Sequence, residues 1–172
     1  MMNVLAVDTS GPVAGVAIWK NGAIAFDEAV VNKLTHSANL LPMIDEALQR
    51  TGMSLSDMNR LAVVVGPGSF TGVRIGVSTV KGLSHGCGVP CVAVDALEAM
   101  AAGIPYFNGV LCPIQDARAG QVYGAAFLPG DPPHRLLPDA PLKLEAFVER
   151  IAPLGERFCF VGDGMPVHRE RL

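Results

Sequence analysis

The sequence predicts an α/β fold in two lobes, and three observations predict it. Apolar runs near the start flank Asn21-Gly22, strand and helix patterns alternate over residues 61–102, and a hairpin followed by helix and strand returns after residue 105. Strand–helix alternation favours parallel pairing, with helices layered on a sheet.

Residues 4–7 form a short apolar run ending in Asp8-Thr9-Ser10-Gly11, the pattern of a buried strand followed by a polar turn. A second strand, 14–19, leads into Lys20-Asn21-Gly22. Asn-Gly between apolar runs marks a hairpin because both residues tolerate positive φ. A third strand covers 24–30. Residues 35–50 read as a helix, with Leu40, Leu41, Ile44, Ala47 and Leu48 at helical spacing. Pro42 inside that pattern predicts a kink or a start near Leu40. Gly52 is the expected stop, and Ser54 with Asp57 resembles a capping arrangement.

Residues 61–65 are expected as a buried strand ending at Gly66-Pro67-Gly68. A helix over 72–84, a strand over 91–94 and a helix over 96–102, capped by Asp95, follow. Beyond Gly103-Ile104-Pro105, residues 110–115 and 121–128 form a second hairpin around a turn at 116–120. The proline-rich run 129–141 reads as an extended connection. Residues 142–151 read as helix and 158–161 as strand. The lobes are therefore placed at 1–105 and 106–172. A further helix is expected after Gly162-Asp163-Gly164, so the second lobe reads as incomplete.

The 172 residues suffice for one ordinary domain or two small lobes. Half are hydrophobic and 17% charged, which supplies a sizeable core. Mean hydropathy is +0.37, yet no apolar run approaches the ~20 residues that span a bilayer. Met1-Met2-Asn3 opens without a basic region or signal-type stretch, so the expectation is a soluble cytoplasmic protein with no membrane partner. Net charge is −3 and the basic residues are scattered, which argues against tight nucleic-acid binding by the chain alone.

Cys87, Cys91, Cys112 and Cys159 read as free thiols. His36 has Leu40 at i+4, where a helical metal pair needs a second ligand, and His85, His134 and His168 have no partnering pattern. No metal site is expected. Nothing resembles a nucleophile with its base, since Ser69 lacks the Gly-x-Ser-x-Gly setting.

Gly66-Pro67-Gly68-Ser69-Phe70-Thr71-Gly72-Val73-Arg74-Ile75-Gly76 follows a strand and opens a helix, where free N–H groups and the helix dipole favour an anion. It matches neither the Rossmann nor the Walker pattern. An anion site and a tight turn with close helix–sheet packing both remain open. Asp8-Thr9-Ser10 likewise suits either a metal-bound phosphate or a turn that bonds its own backbone. The small-residue helix 72–86 and the helix face at 40–48 offer flat surfaces for packing, within the chain or against a partner.

Taken together, these residues resemble the TsaB (YeaZ) family. The likeness is carried by Leu5-Ala6-Val7-Asp8-Thr9-Ser10, His36-Ser37 with Leu41-Pro42, the 66–76 stretch and Lys81-Gly82-Leu83. Asp116-Ala117-Arg118 followed by Gln121-Val122-Tyr123, and Gly162-Asp163-Gly164, complete it. The resemblance implies an actin-like ATPase fold (the sugar kinase and Hsp70 superfamily), with two lobes of related βββαβα topology and the second cut short. It implies a non-catalytic role in making threonylcarbamoyladenosine, the modification beside the anticodon of tRNAs reading codons that begin with A. The partners implied are the catalytic paralogue TsaD and the ATPase TsaE, with tRNA only within the complex and a homodimer when the chain is alone.

The same resemblance puts a partner face on the first lobe, assigned to His36, Leu40, Leu41, Ile44, Leu48, Val73 and Val77. It makes Asp8, Thr9, Ser10, Gly66, Gly68 and Ser69 vestigial phosphate loops, with no cofactor. TsaD carries two metal-binding histidines on its first helix; His36 and Leu40 stand here. TsaD and the kinases also carry a glycine-rich nucleotide loop late in the second lobe, and the sequence ends before one. The alternatives are an actin-like kinase or ATPase, motivated by Asp8, Thr9 and the 66–72 loop, and a glycoprotease-type metallopeptidase, which needs a metal constellation.

Overall fold

In a computed structural model that describes residues 2–31 and 36–172, the Asn21-Gly22 pair sets the register of the first sheet. The two residues have φ of 53° and 95°. They close β2 (Ala14–Lys20) on β3 (Ala23–Val30) at the pair Lys20–Ala23. Two positive φ values match the right-handed twist of the strands they join. β1 (Asn3–Asp8) pairs antiparallel with β2 and parallel with β4 (Arg60–Val64), and β4 pairs parallel with β5 (Cys91–Val94). The strand order is β3-β2-β1-β4-β5.

Alternate strand residues share a face. Leu5, Val7, Val16, Ile18, Leu61 and Val63 form one core with Leu40, Met43, Ile44 and Ala47 of α1 (His36–Thr51) and Val80 of α2 (Phe70–Cys87). Leu40 and Ile44 are only 1% and 3% exposed. Their assignment to a partner face is therefore corrected. Positions 40, 44 and 47 recur at i, i+4 and i+7 and point at the sheet, where each large side chain contributes roughly 1.5–3 kcal/mol by burial. Leu48, half-buried, also packs on this core.

α1 runs unbroken from His36 through Pro42, so the later start near Leu40 is not adopted; the expected first residue, Thr35, lies outside the described residues. Pro42 is exposed, so the ladder bond it lacks is lost on the outer side of the helix. Gly52, at φ +63°, ends it. Its N–H donates to the Gln49 carbonyl and the Met53 N–H to the Leu48 carbonyl, a Schellman closure. The Ser54 N–H and Oγ then both donate to Asp57 Oδ2, at 2.8 and 2.7 Å.

The chain divides between Val94 and Asp95, not near residue 105. The reason is α3 (Ala96–Ala102), whose Leu97 and Ala101 pack with Leu111, Ala125 and Phe127 of the second sheet. Asp95 caps α3, accepting from the Glu98 N–H at 2.8 Å. β6 (Val110–Asp116) pairs antiparallel with β7 (Gln121–Leu128) and parallel with β9 (Phe158–Val161). Leu144, Phe147 and Ile151 of α4 (Leu144–Ile151) pack with Val110, Cys112, Ile114, Val122 and Ala126. The Phe147 ring lies so close to Gly124 that a Cβ there would stand 2.8 Å from it.

Only residues 129–133 of the proline-rich run are a connection. Residues 134–143 form β8 (His134–Lys143), antiparallel to β7 at the edge of the sheet. An edge strand is bonded on one side only, which is where Pro138 and Pro141 can sit without breaking a ladder. Leu142 and Lys143 thus belong to the strand rather than to the helix expected over 142–151. The order β8-β7-β6-β9 repeats β3-β2-β1-β4 of the first sheet. One turn of helix, α5 (Met165–His168), follows β9. No helix of the described residues is long and apolar enough to cross a membrane.

Candidate functional site

β1 and β4 lie side by side and parallel, so the segments that leave their C-terminal ends are neighbours. The first is Asp8-Thr9-Ser10. The Ser10 N–H donates to Asp8 Oδ1 at 2.8 Å, a side-chain turn of the kind short acidic residues favour. Thr9 and Ser10 are each 1% exposed. The second segment runs from Gly66 into α2, and Ser69 caps that helix by accepting from the Gly72 N–H at 3.2 Å.

The two segments bond to each other. The Ser69 N–H donates to the Ser10 carbonyl at 2.6 Å. Thr9 Oγ1 donates to the Gly72 carbonyl at 2.8 Å, in a buried setting. Gly68, Gly72 and Gly76, four residues apart, all face residues 9–10. A Cβ on Gly68 or Gly72 would run into the carbonyl oxygen of Ser10 or Thr9, and one on Gly76 would stand 2.5 Å from Thr9 Oγ1. Gly68 also holds φ +150°, which other residues rarely adopt. Of the two readings open for this stretch, close packing describes what these glycines do. Asp8, Thr9, Ser10, Gly66, Gly68 and Ser69 are gathered at one end of the sheet, with the Ser69 amide and the Thr9 hydroxyl engaged inside it.

His36 is tied to the same place. Its Nε2 lies 2.9 Å from the Gly11 carbonyl, which can only accept, so Nε2 carries the proton. It anchors the start of α1 to the β1–β2 turn.

The opposite side of α2 is bare. Phe70 is 74% exposed, and the Arg74 guanidinium lies over its ring, 5.1 Å from the centroid. A groove of about 480 Å³ runs along Val73, Arg74, Val77, Ser78 and Lys81, and a hollow of about 300 Å³ adjoins it between Phe70 and Ser78. On α1, Leu41 is 53% exposed. Of the residues expected on a partner face, Leu41 is exposed and Val73 and Val77 are half-buried in the groove wall, Val77 also packing on the core, whereas Leu40 and Ile44 are buried. Phe70 and Arg74 were missing from that set. Their spacing with Val77 and Lys81, at i, i+4, i+7 and i+11, is the signal that identifies the stripe.

The second unit repeats the device at the ends of its own parallel pair. The Arg118 N–H donates to Asp116 Oδ1 at 3.2 Å, as Ser10 does to Asp8. The Gly164 N–H donates to the Ile114 carbonyl at 3.2 Å, and a Cβ on Gly162 would strike that same oxygen. His168, 2% exposed, places Nε2 3.6 Å from Asp116 Oδ1, and Arg171 bonds Glu145 on α4. Cys112 is buried between strands, which pushes its thiol up to about 12, with Cys159 adding to the shift. Among the described residues no three His, Cys, Asp or Glu side chains are grouped to hold a metal.

Comparison with known proteins places this geometry. A family model described as TsaD, tRNA N6-adenosine threonylcarbamoyltransferase, matches residues 30–171. The tRNA threonylcarbamoyladenosine biosynthesis protein TsaB of Bacillus subtilis is 31% identical over 172 residues, covering 99% of this chain and 75% of that protein. Its namesake in Escherichia coli is 38% identical over 168 residues, covering 95% and 72%. The solved structure of YeaZ from Pseudomonas aeruginosa superposes with a TM-score of 0.75 at 31% identity, over 83% of this chain and 68% of that one.

Proposed function

The chain belongs to the TsaB family of tRNA threonylcarbamoyladenosine biosynthesis proteins, and from that premise we propose that it is a non-catalytic scaffold of the threonylcarbamoyladenosine assembly. Its fold is the actin-like ATPase fold, with the βββαβα order of the first sheet repeated in the second. In this reading it works in the cytoplasm and pairs through its first lobe with the transferase TsaD, and the ATPase TsaE joins them. tRNA is held by the assembly rather than by this chain alone. Without TsaD the same face joins two copies of the chain.

One observation carries the reading: the signature helix α2 has two different sides. Its inner glycines lock onto Thr9 and Ser10, while Phe70 and Arg74 stand exposed beside half-buried Val73 and Val77, which line an apolar groove. A loop closed on its own backbone is a support, and an open apolar face with a polar rim is what a partner covers. In α1 the position four after His36 is Leu40, a core residue.

The competing reading, an actin-like kinase or ATPase, is favoured by Asp8 at the end of β1. Co-purification with TsaD separates the two. Leu41→Asp, at an exposed position, is expected to abolish co-purification with little change in the melting temperature, and the purified chain to hydrolyse no ATP. ATP turnover that tracks the homogeneous chain, with TsaD binding unaffected by Leu41→Asp, would favour the kinase.

A further inference from the structure

The outward stripe of α2 carries a charge pattern, whose use in recognition rests on the pairing role proposed for this face. Arg74 and Lys81 are the formal charges on α2, both cationic, and no carboxylate interrupts the helix. They stand seven residues apart, two helical turns or ~10.5 Å along the axis, so they project on one side. Val73, Val77 and Ser78 line the groove with them. Among the described residues neither cation forms an ion pair. The acids of the adjoining α1 are engaged on their own helix: Asp45 accepts from Gln49 at 2.6 Å, and Glu46 pairs with Arg50 at 2.6 Å. Arg74 is moreover held in place by its contact with the Phe70 ring. A side chain fixed before contact loses less rotamer freedom on binding.

We propose that this groove receives a partner helix bearing carboxylates about two turns apart, and that Arg74 and Lys81 decide which partner is accepted. The apolar floor of Val73 and Val77 would fit many helices. The two cations narrow the choice. Two α2 helices brought face to face would set cation against cation, and juxtaposed like charges suppress a wrong pairing. The face therefore favours a heterologous acidic helix over a second α2.

The test is the affinity of the full chain for TsaD of the same organism, and its self-association, by sedimentation across a range of ionic strength. Wild type is compared with the double variant R74E/K81E. Both side chains are exposed, so the variant keeps its melting temperature. Wild-type affinity for TsaD is expected to fall as salt rises. The double variant is expected to bind TsaD about tenfold more weakly or worse, the scale of losing charge pairs at an interface, with self-association undiminished. Salt-independent binding, unchanged TsaD affinity in the variant, or an equal loss of both associations would overturn charge selection and leave the pairing role standing. A wild-type chain that does not bind TsaD at any salt would remove the pairing role and this inference with it.

Discussion

Gly72 and Gly82 lie on the same helix, and the structure sets their alanine variants on opposite sides of zero. In an exposed helical position glycine is roughly 0.5–1 kcal/mol worse than alanine. A Cβ at Gly82 meets nothing within 4 Å, so Gly82→Ala gains that increment. At Gly72 the gain is opposed by a collision with the Thr9 carbonyl oxygen, and the Ser69 Cβ and Oγ each stand 3.3 Å away. That oxygen is backbone. It is held between Asp8, paired with Gly15, and Ser10, whose carbonyl accepts from Ser69. Overpacking costs about 1–3 kcal/mol, and separating the segments also breaks the buried Thr9–Gly72 hydrogen bond, worth about 1 kcal/mol. Gly72→Ala is thus expected to lose about 2 kcal/mol net. At this chain length that lowers Tm by roughly 4–8 °C, while Gly82→Ala raises it by roughly 1–4 °C. Calorimetry with urea denaturation reads both. A Gly72→Ala protein as stable as wild type would refute the interlocked loops as the reason for glycine there.

Leu40→Ala and Ile44→Ala should each cost about 2–5 kcal/mol by thermal denaturation, whereas Leu41→Ala should stay within about 0.5 kcal/mol and weaken TsaD binding instead. Arg135 bonds Glu98 and Asp139, pairs with Asp95 and lies 4.6 Å from the Phe127 ring centroid. Partly exposed pairs and one cation–π contact together suggest about 1–2 kcal/mol for Arg135→Ala, with Arg135→Lys recovering only part because it lacks the planar fork. The Ser54 N–H, then its hydroxyl, holds the Asp57 carboxyl below its ordinary 3.8, and the Arg171 guanidinium holds Glu145 below its ordinary 4.5. Both carboxyls therefore add stability above those ordinary values, lost as pH falls through their lower folded ones. NMR titration of the side-chain carboxyls should show both midpoints depressed, and Ser54→Ala should raise that of Asp57.

Much of this architecture was legible because local rules were strong. Asn21-Gly22 fixed a hairpin, Gly52 a helix end and Asp95 a cap, each through backbone chemistry contained in a few residues. Helical spacing located the apolar stripe of α1 but not its depth: Leu40 and Leu41 are adjacent, and only the sheet beneath shows that one is core and the other surface. β8 was illegible because prolines weigh against a strand unless it is known to be an edge, and that is set by the order of the whole second sheet, β8-β7-β6-β9. The lobe boundary moved for a related reason, since the partners of Leu97 and Ala101 come later in sequence. At the site, the glycines of 66–76 announced a close approach, but what approaches, Thr9 and Ser10, follows from the parallel pairing of β1 with β4.

The central claim is that this chain supports a transferase without being one. The most direct measurement is threonylcarbamoyladenosine formation on tRNA, reconstituted with TsaD, TsaE and threonylcarbamoyl-adenylate, with and without this chain. Product is expected only when both TsaD and this chain are present, none from this chain alone, and Leu41→Asp is expected to abolish the stimulation. Equal product from TsaD and TsaE without this chain, or product from this chain alone, would contradict the claim.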